Sequence, residues 1–174
     1  MKKSDIISMP EYFDRYINLV GDYSVIDSLK FYNANWLRNE KEALIQLGNS
    51  IYAPQKWTIK DILQHLIDTE RIFAYRAVCF AREDTTILPG FDENRYALSA
   101  NATLREVEDL LEEIQLVRDS TIALYNSFSN EMMMREGISF NKKISVLAIG
   151  FVISGHAIHH LNIIKERYYP LLTR

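Results

Sequence analysis

Apolar residues recur every three or four positions along most of the chain, and no run of strict apolar–polar alternation is long enough to build a sheet. That rhythm predicts an all-α protein. A short helix starts at Pro10, whose fixed φ suits a first turn, and stops at Gly21. Ser24 opens a longer one with Val25, Leu29, Tyr32, Trp36 and Leu37 on one side. Whole or broken, it runs to Gly48. Residues 49–57 contain a proline and read as loop. Thr58 and Asp61 then resemble a capping box, with Asp where Glu or Gln is usual. The helix behind them spaces Ile62, Leu66, Phe73, Ala77 and Phe80 along one face and ends near Arg82.

Residues 83–101 read as a long loop centred on Leu88, Pro89 and Gly90, and loops of that length inside compact domains are often functional. Thr103 and Glu106 form a second capping box. The helix it opens buries Leu104, Val107, Leu111, Ile114, Val117, Leu124 and Phe128. Its other face, with Arg105, Glu108, Asp109, Glu112 and Asp119, is solvated. Residues 130–137 read as irregular, and 138–144 allow a short hairpin about Asn141 and Lys142. Ser145 caps a last helix that runs toward Tyr168 and Tyr169 before Pro170. Four long amphipathic helices with unequal connections predict a four-helix bundle with short extra helices, one domain over 1–174.

Composition narrows the class. A chain of 174 residues, 48% hydrophobic and 25% charged, suits one globular domain with a sizeable core. A net charge of −3 leaves no electrostatic footprint for nucleic acid. The longest apolar stretch, 144–158, is broken by Ser145, Ser154 and His156, so it is expected to be a core helix and not a membrane span. The lone Cys79 makes no internal disulfide, and no apolar segment of signal-peptide length precedes Pro10. The expected location is cytoplasmic.

Three of the four histidines lie within residues 155–160. A helix advances about 100° per residue, so His156 and His160 project from one face, a turn apart. Ile149, Ile153 and Ile163 share that face, and two imidazoles among aliphatic side chains need partners. His65 stands in the same position on the second long helix, in a stripe with Ile62 and Thr69. A lone interior histidine is ordinarily a hydrogen-bonded core residue. One divalent ion shared by His65, His156 and His160 would satisfy all three, and imidazole suits zinc, nickel and related ions. Three protein ligands leave a coordination position open, as catalytic sites do. His159 is expected to support a neighbouring ring or to sit at a helix boundary.

WTIKDILQHLIDTE over 57–70 and GHAIHHL over 155–161 resemble the second- and last-helix motifs of the DinB-like (YfiT-like) four-helix-bundle metalloprotein superfamily. LPGFDEN over 88–94 is similar to a loop of one branch, and the likeness extends from about Tyr12 to Tyr168. It implies an up-down-down-up bundle, a metal site on His65, His156 and His160, and a homodimer. It further implies metal activation of a low-molecular-weight thiol, or hydrolysis.

Asp68 is the candidate catalytic carboxylate, expected to orient His65 or to act as general base. Asp61 is expected to serve the helix cap and Glu70 to face outward. Asp92, Glu93 and Asn94 stand either at the mouth of the site or in a capped turn. Cys79 and the run Met132, Met133, Met134 are expected to pack. The function these readings favour is a metal-dependent enzyme, a hydrolase or thiol S-transferase, with a small-molecule substrate. Its cavity should be lined in part by Phe91 or Tyr96. The competing function is a non-catalytic bundle with a structural or vestigial metal.

Overall fold

The computed structural model describes residues 1–86 and 88–173; residue 87 of the expected long loop and residue 174 of the expected domain lie outside the described residues. The elements are α1 (Asp14–Ile17), α2 (Val25–Phe31), α3 (Ala34–Arg38), α4 (Lys41–Leu47), α5 (Ile59–Ala81), α6 (Glu93–Ala100), α7 (Val107–Asn126), α8 (Asn130–Met134), β1 (Glu136–Ser139), β2 (Lys142–Ser145) and α9 (Val146–Ile163).

The most apolar helix lies at the centre. Ser145 caps α9 by accepting from the Ala148 N–H at 3.1 Å, and every residue from Val146 to Ile158 is buried. A helix apolar all round has no face to give to water, so α1, α2 and α5 pack around it. The segment Val146–Leu171 is long and apolar enough to cross a membrane by length and composition, and 83% of its most apolar window is buried inside this protein. Gly155 permits the closest approach: a Cβ there would lie 2.0 Å from the backbone oxygen of Tyr16 on α1.

Contacts set the helix directions. Lys41 pairs with Glu108, and Arg118 reaches the carbonyls of Leu29 and Tyr32, so α2–α4 run against α7. Arg105 bonds Gln64 and Glu113 pairs with Arg71, so α7 runs with α5. Tyr168 bonds the Trp57 carbonyl while His156 meets His65, so α9 runs against α5. The bundle is therefore up-down-down-up, as expected. Parallel α5 and α7 need a crossover, which the 82–106 connection supplies.

Local chemistry revised several elements. The helix expected from Ser24 to Gly48 is three helices, because the Asn33 side chain accepts from the N–H groups of Asn35 and Trp36 and starts a new one. The expected loop contains α6, capped by Asp92 and carrying no buried residue. With no apolar stripe, it had no periodic signal. Thr103 does not open α7: it sits in a 3₁₀ turn, Leu104 is 85% exposed, and Glu106 precedes Val107 without a side-chain cap. Within the expected irregular 130–137, Ser129 caps α8. The hairpin is present, but its turn residues are Phe140 and Asn141, both left-handed (φ 51° and 58°), one register before the expected pair.

Glu70 does not face outward. Its two carboxylate oxygens accept from Arg118 Nε and Nη2 at 2.7 and 2.8 Å, and both side chains are buried. Arg118 also donates to the Leu29 and Tyr32 carbonyls at the end of α2, tying three helices with one guanidinium. The pairing spans 48 positions, which no local spacing reveals.

Candidate metal centre

The Thr58–Asp61 box starts α5 as expected, each residue's side chain accepting from the other's N–H. Seven residues on, the α5 side chain of His65 meets α9. Its Nε2 lies 3.2 Å from His156 Nε2, which lies 3.0 Å from His160 Nε2. All three rings are buried, and their three donor atoms lie within 4.8 Å of one another.

Three facts test whether this set fits an ion. Burial, reinforced by the neighbouring histidine charge, pushes His65 down to about 4 and holds His156 and His160 well below the usual imidazole range. All three are thus neutral at neutral pH, the form that ligates metals. Next, the single nitrogen His156 Nε2 faces both neighbours, and it cannot make a good hydrogen bond to each with one lone pair or one proton. Finally, ligand nitrogens about 2.0–2.1 Å from a tetrahedral ion stand roughly 3.3 Å apart, close to the observed spacings. The donor set fits one borderline divalent ion.

Thr69 supports the cluster from behind. Its Oγ1 is 3.2 Å from His65 Nδ1, so a proton on Nδ1 is bonded there and Nε2 keeps its lone pair for the shared point. The buried Nδ1 of His160 has no protein partner among the described residues. Trp57 packs against two of the rings, its centroid 4.8 Å from His65 and 6.4 Å from His160.

The histidines line a cavity of about 280 Å³. Tyr12 and Tyr16 from the α1 region, Trp57, Phe91 and Phe140 supply an aromatic wall, and Glu93 and Asn94 supply polar lining. Tyr16 meets His156 and His159 edge-on and accepts a hydrogen bond from Arg15, and burial raises its hydroxyl. His159 lines the same cavity half-buried and stands apart from the three converging donors. Burial lowers it, with Arg15 and Arg167 adding to the effect. Phe91 is in the wall as expected; Tyr96 is not, and packs 5.1 Å behind Phe91. The cluster after Gly90 serves both expected roles, since Asp92 caps α6 while Glu93 and Asn94 face the cavity.

Asp68 is not brought to the histidines. It accepts from Gln64 at 3.0 Å, near Arg71, Arg105 and Glu113, and burial raises its carboxyl. The reason is angular. Three residues past His65 fall about 60° short of a full turn, and four fall about 40° beyond, so Thr69 lies over the ring and Asp68 turns toward α7. Thr69 was legible as a stripe-mate of His65. The Tyr12, Tyr16 and Phe140 contributions had no signal in spacing.

The DinB superfamily profile matches residues 41–164, a span holding all three histidines and most of the bundle. The chain belongs to the DinB superfamily. Among solved structures, this DinB domain is similar to YfiT from Bacillus subtilis, described as a probable metal-dependent hydrolase with an unusual four-helix bundle topology. The two share 17% identity over 96% of this chain and 91% of that one, with a TM-score of 0.72. That likeness carries the fold. Comparison with curated proteins returns no match.

Proposed function

We propose that this DinB domain is a metal-dependent enzyme acting on a small molecule, with one divalent ion, zinc or nickel, held by His65, His156 and His160. One observation carries the reading: three neutral imidazole nitrogens converge at the wall of an open cavity and not inside a sealed core. A divalent ion there would act as a Lewis acid and lower the pKa of a bound water or thiol toward neutrality.

The chain's own groups do the rest. Thr69 holds the His65 ring in one orientation. The aromatic wall from Tyr12 to Phe140 takes up apolar substrate surface. Glu93 and His159 line the cavity and offer it a carboxylate and an imidazole able to exchange a proton with substrate. Hydrolysis and thiol S-transfer both fit this arrangement, and the similarity to a probable hydrolase supports the first.

Metal analysis of protein purified without a histidine tag tests the reading. One equivalent of ion is expected in the native chain and none in His156→Ala, with the helical circular-dichroism signal retained. Ester, amide and thiol-conjugation substrates should then turn over only in the loaded native protein. Collapse of the helical signal in His156→Ala would make the ion a structural staple.

A further inference from the structure

His160 belongs to two cavities. Besides the aromatic one, a second of about 260 Å³ opens on its other side, and Trp57 and Asn94 line both. The second is different in chemistry. Lys56 and Arg167 line it with Tyr52 and Gln55, and no carboxylate does. The Lys56 ammonium makes no ion pair or hydrogen bond among the described residues, and only the backbone N–H of Lys56 is bonded, to the Ala53 carbonyl. Arg167 is aimed by its surroundings: it donates to Tyr52 Oη at 3.0 Å and lies 5.4 Å over that ring. Among the described residues its only acidic neighbour is the exposed Glu166, at 4.0 Å. Two backbone departures shape the wall. Arg167 sits in a π-helical turn, Ile164–Tyr168, a widening often found at functional sites, and Gln55 holds a left-handed φ of 63°.

We infer that this second cavity is a subsite for an anionic oxygen group, a carboxylate or a phosphate, carried by the small molecule that reacts beside His160. A planar guanidinium and a nearby ammonium, facing a space without acidic lining, match such a group in charge and geometry. The apolar part of the same molecule, or a second reactant, would occupy the aromatic cavity across Trp57 and Asn94. The anion subsite stands on its own residues; the role of the anion in the reaction rests on the proposed function.

Succinate and inorganic phosphate are the probes, titrated into chelator-treated protein and followed by the Trp57 indole N–H signal in ¹⁵N NMR. Saturable shifts are expected with at least one probe, and whichever binds identifies the group as carboxylate, phosphate or either. Lys56→Gln and Arg167→Gln should each weaken that binding roughly tenfold. His156→Ala should leave it nearly unchanged, which separates the subsite from the metal reading. Absence of saturation with both probes, binding indifferent to both charge replacements, or binding lost in a His156→Ala protein that keeps its helical circular-dichroism signal would overturn the inference.

Discussion

Thr69 Oγ1 lies 3.2 Å from His65 Nδ1, one turn along the same helix, and both side chains are buried. The hydroxyl is the partner that fixes which nitrogen of His65 faces the other two histidines. Thr69→Val should therefore weaken zinc binding roughly 10- to 100-fold, and Thr69→Ser should restore it. Competition titration against a chromophoric chelator measures this. Equal affinity in the valine protein would remove any orienting role for the hydroxyl.

The Glu70–Arg118 pair should behave as a buried ion pair with no escape to water. Glu70→Leu strands the guanidinium and is expected to cost about 3–5 kcal/mol in urea unfolding. The double replacement Glu70→Leu with Arg118→Met should cost less than the single one, because no charge is left unpaired. A double variant as unstable as the sum of its parts would contradict this account.

Gly155 precedes His156 where α9 crosses α1. A methyl group at 2.0 Å from the Tyr16 backbone oxygen cannot be absorbed by a rotamer change, so α1 must move. Gly155→Ala is expected to destabilise by about 1–3 kcal/mol and to displace Tyr16 from the cavity wall. Thermal unfolding and the Tyr16 ring signals in NMR test the two effects separately.

The metal-free protein should lose stability as pH falls. Burial lowers His65 from the ordinary imidazole value of 6.5 to about 4 in the folded chain, so between those values the unfolded chain binds the additional proton. Its contribution is complete above about pH 6.5 and is lost progressively toward pH 4, amounting to roughly 3 kcal/mol. His156 and His160, lowered further, add to the loss in the same direction. Replacing His65 with Gln should flatten the pH dependence of Tm across that window. An unaltered slope would place the titration elsewhere.

Short-range regularities made much of this protein legible without a structure. Apolar spacing located α5, α7 and α9, and the side chains of Ser24, Thr58 and Ser145 marked three helix starts through bonds that reach only three residues. The i, i+4 spacing of His156 and His160 set both rings on one face by helix geometry alone. His65 joined them because an interior imidazole on a partner helix demands a partner. The resemblance of two short motifs supplied the topology.

Tertiary structure decided whatever depends on the angle between helices and on pairs far apart in the chain. It set Thr69 and not Asp68 behind His65, since which side of α5 meets α9 is a packing outcome. Glu70 was drawn inward by Arg118, a residue that only parallel packing of α5 and α7 brings near. Helix α6 escaped detection because it buries no side chain. The cavity walls come from α1, the 88–94 segment and the hairpin turn at Phe140, segments distant in sequence that converge only once α9 is enclosed. Periodicity records which way a side chain faces on its own helix; what it meets there is set by the rest of the chain.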